Sequence, residues 1–193
     1  MPYKKSEITK EAVYTAALEL MVEKGFRGAT IRDICKRANV SVGTFYSYYQ
    51  NKRDIIREVY LPGDAFFLET VSHELEGKPT VEQLRLFFHY YARLNVETGL
   101  DILKVLYNPD NDAFRQAARP MHTILHDVIE QGQQTGQLRR MWPPQTIVDY
   151  LFDILRGICY DWCLCDAGFD LEERMLAMLD LILSGLLSEE EKK

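Results

Sequence analysis

The residues from 41 to 52 have types and spacing that suit chemistry with a nucleic acid. A short helix opened by Ser41 would present small and polar groups on one face. A glycine lets the helix backbone approach a duplex closely, a valine or threonine methyl can meet a thymine methyl, and a threonine hydroxyl can reach a base edge. The residues predicted to lie on this face are Val42, Gly43, Thr44, Ser47 and Tyr48.

The same stretch contains groups that could bind phosphate. The hydroxyls of Tyr46 and Tyr49 can donate to phosphate oxygens, and Lys52 supplies charge at the start of the next helix, where backbone amides also point at an anion. Each residue has a simpler interpretation. The tyrosines could pack inside a small domain, Lys52 could be a solvated surface charge, and Val42 could be an exposed filler.

Short capped helices would position these groups. A first helix is predicted over 9–24, a second from 31 to about 37, a third over 42–48 and a fourth from 52. Tight turns between them are typical of a helix-turn-helix bundle. The residues predicted to begin or end these helices are Gly25, Thr30 with Asp33, Ser41, and Asn51 with Asp54.

This segment resembles the DNA-binding domain of the TetR family, the tetracycline-repressor-like regulators. The similarity runs from about residue 9 to 58 and begins with an alanine-rich first helix. The remaining three-quarters of the chain is similar to the family only in helical content and length. The motifs at matching spacing are Gly25-Phe26, Ala29-Thr30-Ile31-Arg32-Asp33-Ile34, Ala38-Asn39-Val40-Ser41, Gly43-Thr44-Phe45-Tyr46-Ser47-Tyr48-Tyr49 and Asn51-Lys52.

The resemblance implies a homodimer that binds double-stranded DNA and is released by a small molecule. It places Thr30 and Arg32 at the DNA backbone, and it makes Ser41 and Tyr48 further DNA-binding candidates. The family often has histidine or another polar residue where this chain has Tyr48. The resemblance also implies base contacts from Val42, Gly43 and Thr44, and phosphate contacts from Tyr46, Tyr49 and Lys52.

The predicted fold is all-α, with about nine helices. A helix-turn-helix domain is expected over 1–52 and a larger ligand-binding and dimerisation domain over 53–193. Leu61-Pro62-Gly63 predicts a break or kink, and thus a hinge, because proline disfavours helical geometry. Beyond it, helices are predicted over 64–75, 80–97, 100–107, 112–134, 145–167 and 171–187.

Charge is distributed unevenly along the chain. Residues 1–60 contain 11 Lys and Arg against 7 Asp and Glu, a net charge of +4, whereas residues 61–193 contain 12 against 22, a net charge of −10. We call residues 1–60 the head and residues 61–193 the body. A basic head joined to an acidic body concentrates the attraction for phosphate at one end of the chain.

The acidic body is rich in aromatic residues, which predicts a site between its middle helices for a small apolar or aromatic effector. The candidates for lining it are Tyr91, Tyr107, His122 and Trp162. The last two helices carry more apolar residues than they can bury internally, which favours a homodimer interface there.

Metal and thiol chemistry are weaker hypotheses. Cys159 and Cys163 share a helical face, but Cys165 does not, so buried free thiols are favoured and a redox sensor is the alternative. His122 and His126 also lie one turn apart, and His89 could join them at a metal site, but a pocket-lining or solvent-facing pair is favoured.

No nucleophile elbow, phosphate loop or metal-ligand motif is found, so neither an enzyme nor a cofactor is expected. A protein-binding adaptor that retains the helix-turn-helix, and a thiol-based redox-sensing regulator, are the rival functions. No apolar run suits a membrane span and the first residues do not form a signal peptide, so a cytoplasmic location without membrane contact is expected.

Overall fold

The computed structural model describes residues 2–107 and 119–187, and side chains from Ser6 onward. The described part is helical, with only an isolated antiparallel bridge between Leu138 and Leu187. The helices are α1 (Pro2–Gly28), α2 (Ile31–Arg37), α3 (Val42–Tyr48), α4 (Lys52–Phe66), α5 (Ser72–Leu75), α6 (Thr80–Thr98), α7 (Leu100–Leu106), α8 (Pro120–Gln134), α9 (Pro144–Leu164) and α10 (Leu171–Leu186).

Residues 52–75 form one uninterrupted helical run, because a π-helical turn (Phe67–Val71) joins α4 to α5. Counted in this way, the described residues form nine helices, and the predicted all-α architecture is confirmed. The predicted helix over 112–134 is seen from Pro120, and its first part lies outside the described residues.

The predicted N-caps Thr30 and Ser41 begin α2 and α3, and Gly25, predicted to end the first helix, marks a kink within α1. Gly25 has a φ of 73° inside the α1 run, a conformation that glycine adopts without steric cost. The side chain of Thr30 accepts a hydrogen bond from the Asp33 amide at 3.1 Å, and Ser41 Oγ accepts one from the Thr44 amide at 3.0 Å. These side chains satisfy amides that the first turn of a helix leaves unpaired.

The predicted break at Leu61-Pro62-Gly63 is wrong, because α4 continues through Pro62 to Phe66. A proline removes one backbone donor and strains one turn, and packing around a helix can offset that cost. Gly63 is such a packing position, since a Cβ added there would lie 2.8 Å from Leu94 Cδ2. The continuous helix therefore provides no hinge at Pro62.

The chain forms two compact units. The first contains the residues up to Leu61 and the segment that begins at Asp101, and the second contains Pro62–Leu100 and the helices from Pro120 onward. The predicted boundary at residue 52 lies inside α4, nine residues before this division.

Each unit has its own core. In the first unit α1 packs on α2 and α2 on α3, and in the second α6 packs on α10 and α8 while α9 packs on α8 and α10. Buried side chains of the first unit include Val13, Leu20, Met21, Ile34, Phe45, Ile55 and Ile56, and those of the second include Leu84, Phe87, Phe88, Leu125, Ile129, Leu155 and Leu179. Within the residues that the structure describes, no helix is long and apolar enough to cross a membrane.

Candidate nucleic-acid interface and effector site

Helix α3 has one buried anchor and one open face. Phe45 is fully buried, whereas the side chain of Val42 is 42% exposed and that of Tyr46 is 54% exposed. Gly43 and Ser47 are exposed, and Thr44 is half-buried. The anchor fixes how α3 is turned, so the small residues predicted to meet base edges lie on the solvent side.

The hydroxyl of Thr44 lies within a local network. It is 2.8 Å from Ser41 Oγ, and Ser47 Oγ donates to the Thr44 carbonyl at 2.7 Å. Because Ser41 Oγ already accepts from the Thr44 amide, both hydroxyls are held near the first turn of α3. Side chains held in this way have a defined geometry for reading a base.

Tyr46 and Tyr48 occupy different environments at the end of α3. The Tyr46 ring stands edge-on to Phe45, with ring centroids 5.5 Å apart, and it is the more exposed of the two tyrosines. The hydroxyl of Tyr48 lies 3.1 Å from Ser6 Oγ on α1, and its side chain is half-buried. Tyr46 therefore remains available for a phosphate, while Tyr48 also links α3 to α1.

The phosphate contact predicted for Tyr49 does not fit the structure. Tyr49 is 2% exposed, and its hydroxyl donates to Glu58 Oε2 at 2.8 Å. Burial, followed by the hydrogen bond to Glu58, raises the pKa of Tyr49 above its usual value. Sequence reasoning missed Glu58, because a partner nine residues away shows no local spacing signal.

Lys52 is held by the protein itself. Its ammonium donates to the carbonyls of Phe26 and Ala29, at 2.6 and 2.7 Å, and lies 4.7 Å from the centre of the Phe26 ring. These contacts tie the start of α4 to the segment that follows Gly25. A phosphate contact by Lys52 remains a prediction, and the observed contacts give this residue a positioning role as well.

Thr30 and Arg32 lie at the start of α2. Thr30 is exposed and serves as the N-cap, and hydrogen bonding of its side chain to the Asp33 carboxylate lowers the pKa of that carboxyl. Arg32 is exposed and forms no ion pair within the part of the chain that the structure describes. By contrast, Arg37 on the same helix binds the Glu23 carboxylate with two nitrogens, at 2.7 and 2.8 Å.

Two of the four effector candidates come together in the second unit. His122 stacks on Phe152 with ring centroids 3.9 Å apart, and Tyr91 meets the same ring at 6.1 Å. Trp162 lines a separate surface groove of about 370 Å³ between α6 and the start of α10. Tyr107 follows α7 and belongs to the first unit.

Sequence reasoning missed two arginines at the His122 site. Arg156 Nη2 lies 3.1 Å from His122 Nε2, and Arg119 binds the Asp64 carboxylate through Nε and Nη2. Burial, followed by the charges of Arg156 and Arg119, lowers the pKa of His122 to about 4. The sequence did contain a signal for Arg156, because a charged residue among the apolar residues of α9 indicates a buried polar contact.

The structure also places the other cysteines and histidines that the sequence singled out. Cys159 and Cys163 are buried and Cys165 is exposed, and all three are thiols rather than members of disulfides. His89 binds Glu172 at 2.7 Å. Among the described residues, the one group with metal-ligand spacing is His126, Asp127 and Glu130, whose two carboxylates are exposed.

The last two helices keep an apolar face open in the second unit. On α10 the side chain of Leu181 is 70% exposed, and on α9 that of Leu164 is 65% exposed. A Cβ added to Gly157 or Gly185 would meet no atom within 4 Å, so both glycines border open space. We call this face the α9–α10 face; it comprises Tyr150, Gly157, Tyr160, Leu164, Leu181 and Gly185.

Comparison with known proteins places this architecture in a family. A sequence model of bacterial regulatory proteins of the tetR family matches residues 13–59. The uncharacterized HTH-type transcriptional regulator YdeS of Bacillus subtilis (strain 168) is 39% identical over 158 residues, which cover 77% of this chain and 76% of that protein. The fatty acid metabolism regulator protein of the same strain is 25% identical over 181 residues, covering 90% of this chain and 93% of that protein.

A solved structure is similar over nearly the whole chain. The transcriptional regulator FadR from Bacillus subtilis in complex with stearoyl-CoA has a TM-score of 0.72 at 22% identity, and the match covers 91% of this chain and 98% of that one. Three observations indicate the same family of helix-turn-helix regulators. They are the capped α2–α3 pair, the family match over α1–α4 and the 39% identity to a helix-turn-helix regulator. The chain belongs to the tetR family of bacterial regulatory proteins and is a DNA-binding transcription regulator.

Proposed function

We propose that this protein is a repressor that binds a palindromic operator as a homodimer and is released by a small apolar effector. The observation that carries the proposal is the open face of α3, where Val42, Gly43 and Thr44 are presented to solvent while Phe45 fixes the helix. Small side chains on an exposed, anchored helix suit insertion into a major groove.

The distribution of charge also supports DNA binding by the part of the chain that contains α3. Residues 1–60 have a net charge of +4 against −10 for the rest of the chain, so the end that contains α3 attracts phosphate and the body does not. Thr30, Arg32 and Tyr46 are exposed groups that could contact the DNA backbone beside the groove. In this proposal the protein works in the cytoplasm, where the DNA is.

The α9–α10 face supports a homodimer. Exposed leucines, tyrosines and unobstructed glycines on two neighbouring helices form an apolar surface that a second copy could cover. A twofold interface uses the same patch on both chains and holds two α3 helices at a fixed spacing. That spacing would match two half-sites about one helical turn apart.

Similarity and geometry together favour an acyl compound as the effector. The relatives include a fatty acid metabolism regulator and a FadR bound to stearoyl-CoA. In this chain Phe87, Tyr91, Phe152 and His122 form an aromatic cluster between α6, α8 and α9. In this mechanism DNA binds one dimer geometry and the effector binds another more tightly. The effector then lowers DNA affinity by the difference between its binding free energies for the two geometries.

Selection from random duplexes, followed by gel shift, tests the proposal. The protein should enrich a palindrome of roughly 15–30 base pairs, and its affinity should fall steeply as salt increases. Thr44→Val removes the hydroxyl at constant shape and should change base preference, whereas Thr123→Val, at an exposed position on α8, should not. Enrichment of no sequence, or of a site without twofold symmetry, would contradict the proposal.

A further inference from the structure

His122 is a polar side chain in an aromatic interior. It lies in the first turn of α8, is only 9% exposed, and stacks on Phe152 with an angle of 20° between the rings. Phe87 and Tyr91 of α6 meet the same Phe152 ring edge-on, at 6.1 Å. A buried imidazole in such surroundings needs partners for both of its nitrogens.

The neighbouring guanidinium determines the protonation of this imidazole. An arginine side chain has donors and no acceptor, so His122 Nε2, 3.1 Å from Arg156 Nη2, must accept a hydrogen bond. In a neutral imidazole that accepts at Nε2, the proton sits on Nδ1. The lowered pKa of His122, about 4, agrees with a neutral ring at pH 7.

The Nδ1 atom has no hydrogen-bond partner among residues 2–107 and 119–187. It is buried, and within the residues that the structure describes no atom accepts a hydrogen bond from it. A buried donor without an acceptor is unfavourable, and a bound molecule that offers an oxygen would remove that cost. The positive charges of Arg156 and Arg119 near the ring would further favour an oxygen that carries negative charge.

We propose that His122 recognises the effector by donating its Nδ1 hydrogen to an acyl oxygen, that of a carboxylate or thioester carbonyl. The apolar part of the molecule packs on Phe152 and Tyr91. This inference rests on the proposed ligand-controlled function and names the atom that reads the effector's head group. The acyl group is shared by free fatty acids and their coenzyme A thioesters, so the experiment separates the two.

Calorimetry with three 12-carbon probes tests this assignment. Laurate and lauroyl-CoA carry the acceptor oxygen, whereas dodecyltrimethylammonium has the same chain and no acceptor. The parent should bind laurate or lauroyl-CoA at least about tenfold more tightly than the cationic probe, because one buried hydrogen bond contributes about tenfold and the charges of Arg156 and Arg119 disfavour a cation. Whichever of the two binds more tightly identifies the free acid or the thioester as the form recognised.

Variants isolate the Nδ1 donor. His122→Phe keeps a ring on Phe152 and should weaken laurate binding about tenfold with little change for the cationic probe, while His122→Asn, which retains an amide donor near Nδ1, should weaken it less. His126→Phe, one turn further along α8, should behave as the parent does. Thermal unfolding of each variant shows that it is folded under the conditions of the titration.

Nitrogen NMR of histidine-labelled protein supplies a readout that a purely structural role would not move. The His122 resonances should show a neutral ring protonated at Nδ1, and the Nδ1 signal should shift when laurate or lauroyl-CoA binds. A proton on Nε2, equal binding of laurate by parent and His122→Phe, or no binding of either acyl probe would overturn the inference. Operator binding by the same samples would show that the repressor proposal survives such a failure.

Discussion

Tyr49 donates its hydroxyl hydrogen to Glu58 Oε2 across 2.8 Å, and the other oxygen of Glu58 accepts from Lys10 Nζ at 2.7 Å. The Lys10 ammonium also lies 5.6 Å from the centre of the Tyr49 ring. Three segments meet at this carboxylate: α1, the residue that follows α3, and α4. The orientation of α3 therefore depends on a half-buried polar cluster as well as on the apolar core.

Replacing Tyr49 by phenylalanine should lower stability without removing a DNA contact. The loss of one hydrogen bond should cost about 1 kcal/mol of the free energy of unfolding, measured in urea. Tyr46→Phe is the matched control, since it removes an exposed hydroxyl and should change stability by less than about 0.5 kcal/mol while weakening operator binding. The reverse pattern would show that the two tyrosines have been assigned the wrong roles.

Lys52→Ala should reduce both stability and DNA affinity. The ammonium satisfies the carbonyls of Phe26 and Ala29, so its removal should cost about 1–3 kcal/mol of unfolding free energy. Arg32→Ala should leave unfolding unchanged and reduce the slope of log affinity against log salt by about 1, as expected for one phosphate contact. Thermal melts and salt titrations of both variants separate the effects; an unchanged melt for Lys52→Ala would refute its positioning role.

Gly43 should be essential for DNA binding and dispensable for folding. A Cβ there would lie 3.6 Å from Ser41 Oγ, an ordinary contact, so Gly43→Ala should stabilise the exposed helix by about 0.5–1 kcal/mol. Gly43→Leu should also fold, but its side chain should block approach to the groove and abolish operator binding in a gel shift. Tight binding by Gly43→Leu would place this residue away from the duplex.

A charge on the α9–α10 face should separate the two protomers. Leu181→Asp introduces a carboxylate at a residue that is 70% exposed, so the chain should fold but sediment as a monomer at micromolar concentration. Leu68→Asp changes a leucine that is 56% exposed and lies outside this face, and should sediment as the parent does. A monomeric parent protein would exclude the interface altogether.

Stability should fall as the pH is lowered from about 6.5 to 4. The folded-state pKa of His122 is about 4 and its ordinary value is 6.5, so the unfolded chain binds a proton in this window that the folded chain does not. The contribution of His122 is fully present above pH 6.5 and should shrink by about 2–3 kcal/mol by pH 4. His122→Phe should show a shallower decline in urea unfolding over this range, and an identical decline would contradict the assignment.

Local sequence rules predicted where the helices of the first unit begin and end. Gly25 kinks α1, and Thr30 and Ser41 begin helices, for reasons that lie within four residues of each; the structure shows the corresponding φ angle and hydrogen bonds. The open face of α3 followed from the same information, because an N-cap fixes where the helix starts and its period fixes which residues share a face.

Non-local partners explain what the sequence did not predict. Tyr49 differs from Tyr46 because Glu58 and Lys10 reach it from other helices, and Lys52 is held by carbonyls 23 and 26 residues earlier. The rule that proline breaks a helix failed at Pro62, where packing of the helix offsets the cost. The protonation of His122 depends on Arg156, which is 34 residues away in the chain.

The uninterrupted α4 has a consequence for dissecting the protein into fragments. A fragment that stops at Lys52 would lack Ile55 and Ile56, which are buried, and Glu58, the hydrogen-bond acceptor of Tyr49. Such a truncation would expose the apolar side chains that α4 covers and would leave the buried hydroxyl of Tyr49 without its acceptor. The fragment should therefore be recovered as an unfolded peptide. A fragment must include at least Glu58 to keep these contacts, so the helix that continues into the second unit also completes the core of the first.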